Sequence, residues 1–343
     1  MVVCLAKELV MRKDELTETV ETIYFGGGTP SLLTIEEVEF LIDTIYQNYQ
    51  VAENPEISLE ANPDDLTEEK IIQLSQTPIN RLSIGVQSFF EDDLKTMNRA
   101  HTAVESENCI RQAQRYFENF TIDLIYGIPK MSVEKWRQNL EKALALNIPH
   151  LSGYALTVEP KTALKKMIEK GSIPPVDEVL AEQHYRLLTE IMAQNDYVNY
   201  EFSNFGKPGY FSKNNTAYWT GKKYLGIGPS AHSFDGNSRS WNISNNTLYI
   251  KNISSGNLPS EREIMTVTNR YNEYIMTGLR TIFGVSLEKV RTDFGEKYLE
   301  YIQKQAQNLL DDGLLSLTDN ILKITPKGKF ISDCISAELF FLD

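Results

Sequence analysis

Glu21-Thr-Ile-Tyr-Phe-Gly-Gly-Gly-Thr-Pro30 is the stretch on which the fold turns. A β-branched and aromatic run that breaks abruptly on three glycines reads as a short strand entering a flexible turn. Thr34-Ile-Glu-Glu37 follows as a capping box and opens an amphipathic helix to about Tyr49. The unit then repeats. Glu56 to Glu60 is a strand ending in Ala61-Asn62-Pro63, and Thr67 caps a helix over 68–76. Arg81 to Gln87 is a strand followed by helices over 91–97 and 103–117. Phe120 to Tyr126 breaks at Gly127-Ile128-Pro129, Ser132 caps a helix over 133–146, and His150 to Leu156 is the next strand. Strands that alternate with helices and share no hairpin turn require crossover connections and a parallel sheet. The reading is an α/β fold, a curved partial (β/α) barrel, over residues 1–170.

Each of these strands meets a residue of unusual chemistry at or near its C-terminal end: the glycine triplet, Glu60, Gln87, Asp123 and Tyr154. That edge of a parallel sheet is where crossover loops and helix N-termini converge on a ligand. The Gly26-Gly27-Gly28-Thr29 turn exposes backbone N–H groups and is neither a Walker loop nor a dinucleotide fingerprint; a purely structural turn stays open. Glu60 and Asp123 offer carboxylates to a ribose diol or an ammonium, or else cap neighbouring helices. Arg99 fits a ligand carboxylate, with a surface salt bridge as its alternative. His101 reads as structural.

Beyond Gly171-Ser-Ile-Pro-Pro175 come a long helix at about 177–194 and an aromatic, glycine-rich region from Tyr197 to Trp241. There Tyr218, Trp219 and His232 read either as core or as groups that stack on a flat ligand or hold a metal. We take 171–260 as an extension of the core. From Glu261 onward the pattern is helical, and a hairpin over 313–324 makes residues 261–343 a small winged-helix-like α+β domain.

The net charge of −13 repels phosphate backbones and anionic lipid, which argues against nucleic acid or a membrane surface as a main partner. In 261–343, 10 basic residues face 13 acidic ones, so the wing is no DNA reader. No apolar run is long enough for a signal peptide or a membrane span, and a cytoplasmic location follows as the expectation. Cys4, Cys109 and Cys334 are too far apart in sequence for a disulfide framework or a close-spaced metal set.

The runs Tyr24 to Leu32, Ser58 to Pro63, Leu82 to Phe89, Asp123 to Pro129 and Tyr224 to His232 resemble the radical S-adenosylmethionine family. Within it, the resemblance is to the oxygen-independent coproporphyrinogen III oxidase branch and its haem chaperones. It implies an S-adenosylmethionine site at Gly28, Thr29, Glu60, Gln87, Arg99, Asp123 and Ala155, a [4Fe–4S] cluster in complete members, and haem handed to haem-accepting proteins. Two departures accompany it. Family members open with a strand and a CxxxCxxC loop, whereas this sequence opens within the helix that follows; the expectation is a barrel lacking its first strand, no cluster and no radical turnover. Where haem chaperones carry HNxxY, this chain has Asn214-Asn215-Thr216-Ala217-Tyr218. Asn214 and Tyr218 are then the expected haem-side residues, although an amide is a poorer iron ligand than imidazole. The alternatives are a coproporphyrinogen III dehydrogenase and a non-catalytic remnant.

Overall fold

The computed structural model describes residues 1–160 and 162–342. In chain order, α1 (Val2–Met11), β1 (Val20–Phe25), α2 (Ile35–Asn48), β2 (Val51–Ala61), α3 (Glu68–Ser75) and β3 (Arg81–Gln87) come first. Next are α4 (Glu91–Thr96), α5 (Ala103–Ala113), β4 (Asn119–Tyr126), α6 (Val133–Ala145), β5 (His150–Ala155) and α7 (Ala163–Glu169). Then follow α8 (Glu178–Gln194), β6 (Val198–Asn199), β7 (Asn204–Gly206), α9 (Lys213–Trp219), β8 (His232–Phe234), β9 (Ser238–Asn242), α10 (Asn246–Ser254) and β10 (Ser260–Ile264). The last elements are α11 (Val267–Leu279), β11 (Val285–Ser286), α12 (Leu287–Phe294), α13 (Glu296–Asp311), β12 (Leu315–Thr318), β13 (Ile321–Ile324) and α14 (Ser332–Glu338).

The chain divides into two compact units. One is Thr22–Glu39 with Asn54–Ser212; the other is Met1–Glu21, Phe40–Glu53 and the chain from Lys213 onward. The first unit carries a seven-stranded sheet in the order β1-β2-β3-β4-β5-β7-β6. The pairs β2–β3, β3–β4 and β4–β5 are parallel, and β7 adds antiparallel to β5 and β6. The sheet is open, as a partial barrel requires. Its central strands are buried on both faces, with Leu82, Ile84, Val86, Ile122 and Leu124 fully enclosed. The expected helix starts are present: Thr34 and Glu37 exchange backbone and side-chain bonds, and Thr67 and Ser132 accept from the N–H groups of Lys70 and Lys135.

Three features correct the sequence reading. Tyr197 to Gly206 supplies β6 and β7, an antiparallel addition that strands of two and three residues are too short to announce. Ser260–Ile264 is an exposed strand paired with β9, and the helix begins only at Val267, capped by Thr266. Asp123 stands in the middle of β4 rather than at its end.

The second unit has two small antiparallel sheets, β10-β9-β8 and β11-β13-β12. Tyr271, Ile275, Leu279, Val290, Ile302 and Ile335 are the centre of the core beneath the latter sheet, the α+β domain expected at the C-terminus. In the same unit, α1 is fastened by a buried polar network. The Glu8 carboxylate accepts from Arg12 Nη1 (3.1 Å), Asn242 Nδ2 (2.7 Å), Gly228 N–H (2.8 Å) and the Tyr249 hydroxyl. Arg12 in turn donates to the Gly226 carbonyl and to Ser233 Oγ. Removing the carboxylate takes an acceptor from four buried donors and leaves the Arg12 guanidinium with Glu15 as its ion-pair partner. Glu8→Ala should therefore lower stability by about 3–5 kcal/mol, read as a lower urea midpoint.

Candidate functional site

The glycine turn is held by the strand beside it. Glu60, next to last in β2, accepts the Tyr24 hydroxyl at 2.6 Å on Oε1 and the Gly27 N–H at 3.1 Å on Oε2. Tyr24 lies so close over Gly26 that a Cβ there would sit 2.5 Å from its ring and 3.1 Å from Glu60 Oε1. Burial, reinforced by the Glu60 charge, pushes the Tyr24 phenol far above its ordinary pKa, so it remains a donor. Gly27 and Gly28 have φ of 71° and 63°, and nothing lies within 4 Å of where their Cβ atoms would be. The turn thus offers bare backbone to a cleft of about 130 Å³.

Gly28, Thr29, Glu60, Gln87 and Asp123 all line that cleft, with Asn62 and Ser83 between them. Gln87 is aimed by a backbone irregularity: β3 and β4 change register between Ile84 and Gln87, Gln87 has φ 68°, and its Nε2 lies over Gly85. Asp123 pairs in register with Ser152 of β5. Burial pushes its carboxyl up to about 7, Glu60 adds to the rise, and Ser152, Arg81 and Arg99 oppose it. The hydrogen bonds of Glu60 run to Tyr24 and Gly27, and neither it nor Asp123 is the cap of a helix whose N-cap is described.

Arg99 is exposed and outside the cleft wall, yet Asp123 and Asp64 both act on its charge; it makes no ion pair among the described residues. Ala155 ends β5 opposite Tyr126 and is likewise outside the lining. His101 is buried, with Nε2 3.1 Å from the Val86 carbonyl, and the structure gives it a packing role. Asn214 and Tyr218 lie on α9 in the other unit; Tyr218 is half-exposed and stands edge-on to Tyr224 at 4.6 Å. Sequence reasoning passed over Tyr24, Ser83 and Arg81. Tyr24 stands two positions before the first glycine of the run, and a phenol so near a bare turn was the available signal.

A [4Fe–4S] cluster needs three converging thiolates. Cys4 and Cys109 are buried in α1 and α5, Cys334 is exposed on α14, and no three potential ligands come together among the described residues. These residues do not fit a cluster. The cleft residues fit a cationic, hydroxyl-bearing ligand: the carboxylates of Glu60 and Asp123, the Gln87 amide and the bare backbone of Gly28 face one space. No described helix is long and apolar enough to cross a membrane.

Two family models match the chain: the radical SAM superfamily over residues 5–152 and the HemN C-terminal domain over residues 265–331. The heme chaperone HemW of Lactococcus lactis is 33% identical, over 95% of this chain and 86% of that protein. Heme chaperone HemW of Bacillus subtilis is 32% identical, over 92% of this chain and 84% of its own length. The structure of coproporphyrinogen III oxidase HemN from Escherichia coli superposes with a TM-score of 0.84 at 22% identity, covering 98% of this chain and 82% of that one. That last likeness is one of fold.

If a cationic ligand such as S-adenosylmethionine enters this cleft, it favours ionised Asp123. Below pH about 7 the carboxyl is protonated without ligand, so binding must first expel a proton. Affinity for S-adenosylmethionine by calorimetry should fall as pH drops from 8 to 6, and Asp123→Asn should be weaker throughout and lose most of that dependence.

Proposed function

We propose that this chain, which belongs to the heme chaperone HemW family of radical S-adenosylmethionine proteins, binds S-adenosylmethionine in the glycine-turn cleft and carries haem as cargo for acceptor proteins. The observation that carries the reading is the cleft itself: Glu60 pins the turn through Gly27, leaving Gly28, Thr29, Gln87 and Asp123 free to meet a ligand. Asp123 and the open oxygen lone pairs of Glu60 suit the ligand's ammonium and ribose hydroxyls, and Gln87 supplies a donor and an acceptor at the same edge. Arg99, near Asp123 and without an ion pair among the described residues, suits the methionine carboxylate, and the Ala155 backbone the adenine edge.

Bound at a reduced cluster, S-adenosylmethionine is the source of a 5′-deoxyadenosyl radical in this family. The three cysteines among the described residues do not converge on such a centre, and the role we propose, binding and transfer, does not draw on one. Asn214 and Tyr218 belong to the haem side of the reading. The chain works in the cytoplasm, and its acceptors are haem-requiring proteins. A coproporphyrinogen III dehydrogenase activity has the shared fold and the match to the HemN C-terminal domain in its favour, while the curated relatives named above are heme chaperones.

Titration of the purified chain with ferric haem, followed at the Soret band, should saturate at one haem per chain. Incubation with S-adenosylmethionine and dithionite should yield no 5′-deoxyadenosine by chromatography. Failure to take up haem contradicts the chaperone reading, and conversion of coproporphyrinogen to protoporphyrinogen replaces it with the enzyme.

A further inference from the structure

A protein that carries haem holds it best by a ligand on iron, and imidazole is the common one. At the position where imidazole is expected, this chain has the Asn214 amide. Of its four histidines, three are closed off. His101 is 3% exposed and bonded to Val86. His150 is 1% exposed, held between Thr121 Oγ1 at 2.7 Å and the Tyr200 hydroxyl at 2.9 Å. His184 is wholly buried, its Nδ1 accepting the Gly127 N–H. His232 is exposed, and no hydrogen bond engages its ring among the described residues.

The surroundings of His232 match a flat, apolar ligand. Residues directly opposite in antiparallel strands share a face, so the register puts His232 with Trp241 and Phe234 with Arg239 on one side of the β8–β9 ribbon. The rings of His232 and Trp241 are 6.1 Å apart and inclined by 32°. Tyr224 bridges to Phe234, their rings 6.2 Å apart, and the half-exposed Tyr218 abuts Tyr224. Arg239 lies over Phe234 and is paired with Glu273. Glu261 and Glu263 of β10 lie opposite Trp241 and Arg239, so anionic propionates are repelled from that end. Lys222 and Lys223, in exposed pairs with Glu21 and Glu18, stand next to Tyr224 in the chain and are cations available to them.

The other side of the ribbon explains why this imidazole is held in place. Ser233 Oγ accepts from Gly226 N–H at 3.0 Å and from Arg12 Nη2 at 3.1 Å. The Glu8 carboxylate takes Gly228 N–H and Asn242 Nδ2. A Cβ on Gly226 would collide with the His232 carbonyl, so the loop and β8 fit only with glycine there. The buried Glu8–Arg12 network thus fixes the backbone on either side of His232 while its side chain faces water. A ligand fixed before the haem arrives gives up little freedom on binding.

We infer that His232 is the haem-iron ligand of this chain, with Trp241 and the Tyr218–Tyr224–Phe234 cluster as the apolar bed for the porphyrin. This rests on the haem-carrying reading above. The test is ferric haem titration of the whole protein by absorption and electron paramagnetic resonance, for the unaltered chain, His232→Ala and Cys334→Ser. The unaltered chain and Cys334→Ser should show the same imidazole-ligated spectrum. His232→Ala should bind about tenfold more weakly or worse, lose that spectrum, and regain it when free imidazole is added. An unchanged urea midpoint for His232→Ala shows that folding is intact, and imidazole rescue reads ligation even if it shifts. An imidazole-ligated spectrum retained in His232→Ala, or a signature lost in Cys334→Ser instead, overturns the assignment. If the unaltered chain takes up no haem at all, the haem-carrying reading fails, and this assignment fails with it.

Discussion

The division of one carboxylate between two donors organises the cleft. Glu60 receives the Tyr24 hydroxyl on one oxygen and the Gly27 N–H on the other, tying the end of β1 to the turn that follows it. Without that tie, a turn with two successive glycines at positive φ has many conformations and no fixed direction for its N–H groups. With it, the turn is presented before any ligand arrives. The parallel sheet makes the tie possible by bringing the C-terminal ends of β1 and β2 to one edge, and the same edge brings in Gln87 from β3.

Chemistry that a protein interior usually avoids is concentrated at this edge. Asp123 is held inside β4 with its carboxyl pushed up to about 7, opposed by the buried Arg81 and by Arg99. Gln87 keeps a left-handed backbone at a register break. Both features cost stability, and both make sense if a cationic ligand offsets them. The second unit shows the opposite strategy. There Glu8 and Arg12 are buried and fully hydrogen-bonded, and they spend their charge on fixing the loop from Gly226 to Ser233.

Much of this was legible in the residues. The glycine run, the caps at Thr34, Thr67 and Ser132, and the polar strand ends of Glu60 and Gln87 are local signals, and the structure forms each locally. What escaped is what local pattern cannot hold. Strands β6, β7 and β10 exist because another strand lies alongside them, not because their own alternation is strong. Tyr24 acts on Glu60 across 36 positions and Arg12 on Ser233 across 221, pairings that no spacing rule reaches. Asp123 was legible as chemistry, and its strand was placed correctly, but it stands mid-strand and not at the C-terminal end with Glu60 and Gln87.

The central claim is that the Glu60-braced turn and the carboxylate of Asp123 form the S-adenosylmethionine site. A crystal structure of the chain grown with S-adenosylmethionine tests it most directly. The account predicts the methionyl end against the Gly28–Thr29 backbone and the nucleoside along Glu60, Gln87 and Asp123, with the turn unmoved. Ligand density elsewhere, with this cleft holding only solvent at saturating concentration, would contradict it.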